Sequence, residues 1–222
     1  MMASLWWKMV RFGFRLLYNE LAWTYDLVSW VVSAGRWRKW QQAALRHIAE
    51  RENDILELAH GTANLQLDII NAGMRSIAID VSNAMGRIAS QKLKRQRIAP
   101  RLVRASAMRL PFPTASFSAI VSTFPTEFIF DPQTISEIRR LLVVTGRLIV
   151  VLNGMLTMTN LGVRFLEWLY VVTGQRGVLP DDPFRAFKDA GFDTRLHVDN
   201  LGDSIVWVLV ATPALTSETQ VD

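Results

Sequence analysis

From about Asn53 onward, short β-rich runs alternate with helical stretches, and that alternation restricts the chain to βαβ units on a mostly parallel sheet. The spacing predicts strands at 55–59, 76–80, 101–105, 117–123 and 147–152, with helices at 63–72, 83–95 and 133–142. A short helix at 183–190 stops at Gly191, a residue suited to ending one. Two last strands, 193–199 and 204–211, flank the tight turn Asn200-Leu201-Gly202-Asp203 and therefore read as an antiparallel hairpin. The expected fold is α/β: a doubly wound, mostly parallel seven-stranded sheet with an antiparallel C-terminal hairpin and an N-terminal helical lid.

With 222 residues the chain suits one domain. Residues 1–50 read as amphipathic and lid helices, 51–213 as the ligand-binding domain, and 214–222 as a flexible tail. An apolar, aromatic-rich insertion covers 153–178. Ligands of open α/β sheets bind beyond the carboxyl ends of the strands, where the lid and the insertion are placed to close over them. No cysteine is present, which excludes disulfides, thiol catalysis and thiolate metal sites. His47, His60 and His197 are too far apart in sequence to suggest a metal site, so none is expected. No apolar run approaches the roughly 18 residues of a spanning helix. Lys8, Arg11 and Arg15 are interleaved with apolar residues, unlike a secretory signal, so a cytoplasmic location is expected.

The segment Ile55-Leu56-Glu57-Leu58-Ala59-His60-Gly61-Thr62-Ala63 runs from a buried strand through a small-residue turn into a helix, which turns backbone N–H groups toward the crevice. It fails as a dinucleotide fingerprint, because G-x-G-x-x-G is absent. If the turn needs a positive φ at Ala59 or Ala63, the Cβ carries a steric cost. His60 is either a donor to a ligand or a turn residue. Asp80 closes the second strand, 23 positions after Glu57. Its carboxylate can accept both hydroxyls of a ribose, or with Ser82 it caps the next helix.

These segments, with Ala105-Ser106-Ala107-Met108-Arg109-Leu110-Pro111-Phe112, residues 116–124 and residues 141–148, resemble in order and spacing the motifs of class I S-adenosylmethionine-dependent methyltransferases, a Rossmann-like fold. The resemblance implies that Glu57 orients the turn and the methionine end of S-adenosyl-L-methionine. It implies that Ala59, His60 and Gly61 let the backbone approach the cofactor, and that Asp80 and the following Val81 hold the ribose side. Ser106 stands where the family has an adenine-binding Asp, beside Ala107 and Met108. Ser118 replaces the usual acid of the fourth motif and Thr145 a glycine of the fifth. Ser122 to Thr126 would line the methyl-transfer site.

Residues 25–30 (Tyr-Asp-Leu-Val-Ser-Trp) and 33–40 (Ser-Ala-Gly-Arg-Trp-Arg-Lys-Trp) resemble the segment before the first motif in ubiquinone/menaquinone-biosynthesis C-methyltransferases, the methyltransferase type 11 group. By that match Tyr25 closes over the cofactor; alternatively Tyr25, Trp30, Trp37 and Trp40 pack lid helices on the domain. Beyond the fourth strand the resemblance thins.

The expected function is methyl transfer to an apolar small molecule, quinone-like or lipid-like. Phospholipid-amine N-methylation and a catalytically silent scaffold are the alternatives. Glu127 is the first candidate for a general base and His60 the second. Leu5, Trp6, Met9, Phe12 and Leu16 recur at helical spacing, with Lys8, Arg11 and Arg15 on another face. This suits an interfacial helix on an anionic membrane, which would place the chain at the membrane's inner face, or a helix docked on the core or a second subunit. Residues 155–172 suit a substrate-pocket wall or a homodimer contact. The basic stretch 87–109 lies on a helix end and loop, where a solvated face is expected, so nucleic acid is not an expected partner.

Overall fold

The computed structural model describes residues 22–49, 54–157 and 184–214. The expected interfacial helix, most of the 153–178 insertion and the tail past 214 lie outside the described residues. Seven strands form one sheet: β1 (Asp54–Leu58), β2 (Arg75–Asp80), β3 (Leu102–Arg104), β4 (Phe117–Thr123), β5 (Leu142–Leu156), β6 (Phe192–Asn200) and β7 (Ser204–Pro213). Their order is β3-β2-β1-β4-β5-β7-β6. The first five pair in parallel, and β7 runs antiparallel between β5 and β6. The order reverses between β1 and β4, so the crevice for a ligand opens beyond Leu58 and Thr123.

Helices cover both faces: α1 (Tyr25–Val32), α2 (Trp37–Gln42), α3 (Asn64–Asn71), α4 (Asn83–Arg95), α5 (Pro132–Leu141) and α6 (Arg185–Asp189). Leu56, Leu58, Ile120, Leu148, Val150 and Leu209 bury one face with Ile135 and Ile138 of α5 and Phe187 of α6. Ile55, Val121, Ile149, Val151 and Val208 bury the other with Trp40 of α2 and Leu65 and Ile69 of α3. The central strands are therefore apolar on both sides, as a parallel sheet between helical layers requires. Local signals start the helices. Asp131 accepts the amides of Gln133 (2.8 Å) and Thr134 (3.4 Å) ahead of Pro132, and Ser82 accepts the amide of Met85 at 3.2 Å.

Two boundaries differ from expectation. The helix over 133–142 and turn before 147 become α5 ending at Leu141 and β5 starting at Leu142, because Leu142 pairs with Phe117 before a register shift to Ala119↔Arg147. Residues 143–146 are the bulge this shift leaves, and a Cβ on Gly146 would sit 3.0 Å from the Ser118 and Val143 carbonyl oxygens. At its other end β5 continues through Leu156, paired with Ser204, so the first residues of the expected insertion are strand. There Gly154 lies beneath the Trp40 ring.

The N-terminal layer is held by short-range and long-range bonds. Ser33 accepts the Trp37 amide at 2.8 Å and Gly35 turns the chain at φ +80° between α1 and α2. Arg36 and Lys39 bond Asp203, and Arg38 bonds Asp68 at 2.7 Å. Among the described residues no helix is long and apolar enough to cross a membrane.

Candidate functional site

Three backbone positions after β1 lie in the left-handed region: Ala59 (φ +56°), Gly61 (φ +53°) and Ala63 (φ +62°). The turn does need positive φ at both alanines, at a cost of about 1–2 kcal/mol each. Strain retained at a strand end beside an open crevice is stored where a ligand can use it. The Ala63 amide donates to His60 O (2.8 Å) and the His60 amide to Ile79 O (3.0 Å), so the turn is bound to itself and to β2.

Asp80 is the second half of this construction. Its Oδ2 accepts the Gly61 amide at 3.0 Å and its Oδ1 the Ser82 amide at 2.8 Å. An ionised carboxylate has about four acceptor positions, so about two stay free for incoming hydroxyls. Helix capping falls to Ser82. Asp80 and His60 line one end of a cleft of about 620 Å³ that runs between α4 and β3, with Arg87, Lys94 and Arg104 farther along. Val81, just past Asp80, is 63% exposed, and Met108, past β3, is 41% exposed. Apolar side chains left open beside a carboxylate suit a flat, uncharged ring.

Ser106 is exposed and accepts the Met108 amide at 3.3 Å, while Ala107 beside it is buried. Glu137 of α5 accepts the Leu110 amide (2.9 Å), and Arg140 donates to Leu110 O and Phe112 O, which fixes this loop against the domain. The Arg140 guanidinium holds the Glu137 carboxyl below the usual range.

Glu57 is 2% exposed and its Oε2 has no hydrogen-bond partner. Burial, then the charges of Asp80 and Asp68, push its carboxyl well above the usual carboxylate range. A cation brought against that open oxygen would favour the ionised form and draw the carboxyl back toward its usual range. Because the folded chain binds a proton that the unfolded chain has released, the favourable contribution is complete below the ordinary glutamate value. It is lost as pH rises through the folded value. Glu57→Gln removes that loss. We expect thermal melts from about pH 5 to 9 to show a flatter alkaline fall, with Tm at the alkaline end raised by about 2–4 °C for each kcal/mol recovered. Superimposable profiles for the two proteins would count against a protonated Glu57.

His60 is 5% exposed, and burial lowers its pKa against the opposing pull of Asp80. The neutral ring donates from Nδ1 to Gly61 O (2.8 Å), which leaves Nε2 with its lone pair. Glu127, by contrast, is exposed on the 3-10 turn Glu127–Phe130 past β4. One expectation is corrected. Ser122 is fully buried and its hydroxyl donates to Leu58 O at 3.1 Å, so its side chain locks β1 to β4 and does not face the crevice.

The N-terminal layer contributes a clamp that sequence spacing does not reveal. Asp26 of α1 accepts from Thr62 (2.6 Å), Asn64 (3.1 Å) and Lys92 (2.8 Å). Burial would raise its pKa; these donors outweigh that and lower it. Tyr25 meets Trp37 edge-on at 6.5 Å, and Trp37 stacks on Phe124 at 4.1 Å. Phe124, just past β4, has φ +49°, a true outlier for a bulky residue. The sequence signal for this aromatic wall was the Trp37–Trp40 pair; the strain at Phe124 had none.

The sequence pattern of the ubiE/COQ5 methyltransferase family matches residues 12–189. The chain belongs to that family. A demethylmenaquinone methyltransferase of Thermobifida fusca is 30% identical over 137 residues, covering 60% of this chain and 58% of its own. One from Symbiobacterium thermophilum is 26% identical and covers 80% and 84%. In the first three relatives of this kind the matched stretch spans 55–63% of their length. Among solved structures, the PH0226 protein from Pyrococcus horikoshii superposes with a TM-score of 0.60 at 18% identity, covering 89% and 96%. Geranyl diphosphate C-methyltransferase from Streptomyces coelicolor gives 0.57 at 14%, covering 78% of each chain. Both likenesses are of fold. For a ubiE/COQ5 family chain, the partnerless Glu57 oxygen, the cleft beside Asp80 and the exposed Val81 and Met108 fit a cationic nucleoside.

Proposed function

We propose that this chain is an S-adenosylmethionine-dependent methyltransferase acting on an apolar, quinone-like ring. The observation that carries the reading is Asp80, which lines the cleft with both oxygens anchored by amides and lone pairs to spare. Asp80 would hold the ribose hydroxyls, Val81 and Met108 would flank the adenine with Ser106 at its edge, and Glu57 would face the ammonium of the methionine end. When bound, that cofactor supplies an electrophilic methyl group on a positively charged sulfur. The chain's part is alignment and the exclusion of water. Tyr25, Trp37 and Phe124 offer the flat apolar wall that an aromatic substrate needs beside the switch point. The ring carbon that gains the methyl group loses a proton, and the uncharged Nε2 of His60 is better suited to accept one at neutral pH than the solvated Glu127. Incubation with methyl-labelled S-adenosylmethionine and a demethylated quinol, read by mass spectrometry, tests the reading. A product heavier by one methyl group is expected; binding of the cofactor with no transfer to quinols or amine lipids would leave the scaffold alternative standing.

A bilayer surface is where such a substrate would be met. The exposed Leu27, Trp30 and Val31 on one stripe of α1 support peripheral contact there. Flotation with anionic vesicles is expected to weaken in Trp30→Glu; unchanged flotation would remove α1 from the contact.

A further inference from the structure

Among the described residues β6 is the last strand of the sheet, and only one of its edges is paired. That pairing runs without a break from Phe192↔Pro213 to Asn200↔Ile205, and on the other side the nine-residue backbone edge has no partner strand among the described residues. Natural edge strands are usually short, bulged, or interrupted by proline or by charged side chains, above all lysine. β6 has neither proline nor lysine; instead its outer half reads Arg195-Leu196-His197-Val198-Asp199. Leu196 is 44% and Val198 58% exposed, and Arg195 forms no ion pair among the described residues.

We propose that this edge binds a second copy of the same chain, antiparallel, about a two-fold axis through His197, continuing the sheet from one subunit into the next. In that register Arg195 of each copy lies opposite Asp199 of the other, and Leu196 lies opposite Val198. Alternation along the strand puts the four apolar side chains together on one face, next to Trp207, the β7 partner of Val198. The two arginine–aspartate pairs fall on the other face. Asp199 already accepts from His47 Nε2 at 3.1 Å through one oxygen, and its second oxygen is left for the arginine. Such an interface is isologous, each contact occurring twice. Charge disfavours two neighbouring registers. Centring the pair on Leu196 would oppose Asp193 to Asp199, and centring it on Arg195 would oppose two guanidinium groups.

Strand pairing alone buries an area at the small end of specific interfaces, so a reversible dimer of micromolar strength is expected. Sedimentation of the full chain across about 1 to 100 µM measures it, with a concentration-dependent shift from monomer to dimer expected. Val198→Lys and Arg195→Asp, both at exposed positions, should each weaken association by about tenfold or more through repulsion or lost burial. The exchanged pair Arg195→Asp with Asp199→Arg should restore it, provided circular dichroism shows the double variant folded. A protein that stays monomeric throughout the range overturns the proposal. So does a dimer indifferent to both single substitutions, or a folded exchanged pair that remains as weak as Arg195→Asp.

Discussion

Asp80→Ala is expected to bind S-adenosylmethionine at least about 100-fold more weakly than the parent in titration calorimetry, while still melting cooperatively. The carboxylate has two kinds of partner. Gly61 and Ser82 amides take one position on each oxygen, at 3.0 and 2.8 Å, and Asp80 lines the cleft with acceptor positions to spare. Hydrogen bonds to a charged group are each worth about 1.5–3 kcal/mol, so losing two gives about 3–6 kcal/mol, or two to four orders of magnitude in affinity. Asp80→Asn keeps one acceptor oxygen and should fall between. Alanine also leaves the Gly61 amide without its acceptor, which adds disorder to a turn already strained at Ala59 and Ala63. Affinity within threefold of the parent would mean that the ribose is held elsewhere, and the functional reading would go with it.

The largest effect on stability is expected at Gly154. A Cβ there would lie 2.3 Å from Trp40 Cδ2, 2.5 Å from Cε3 and 2.8 Å from Cγ, so the indole lies flat on a strand that has room only for hydrogen. Trp40 is 2% exposed and packed among Ile149, Val151 and Val208, with no space into which to retreat. Gly154→Ala must lift α2 or bend β5 away from β7. Overpacking of this kind costs about 1–3 kcal/mol, and for a protein of this size that is about 2–12 °C in Tm. Trp40→Leu in the same chain should recover part of the loss, giving a non-additive double variant because the two residues touch. A Tm for Gly154→Ala within about 1 °C of the parent would show that the ring has freedom the packing denies.

The sheet and the strand–turn–strand segment of the candidate site are legible because their signals are local. An apolar strand, a small-residue turn and an acid one βα unit later follow one another in sequence, and β1, the turn and β2 are built in that order. The cost anticipated for Ala59 and Ala63 required only knowing which way such a turn must bend. What escaped depends on residues brought from afar. The bulge at 143–146 exists because Leu142 finds Phe117 before Arg147 finds Ala119, a register no window of sequence contains. The position of Ser122 near a strand end suggests the crevice wall, but its hydroxyl donates to Leu58 of the neighbouring strand. His47 and His197, distant in sequence, lie with ring centres 4.7 Å apart because a helical turn from the lid layer packs over β6.

The clamp at Asp26 ties the N-terminal layer to the turn after β1 and to α4. A single carboxylate gathers α1, the residues after Gly61, and α4 through Lys92. Displacing α1 therefore means breaking those three bonds, so the position of the N-terminal layer is tied to that of the turn after β1.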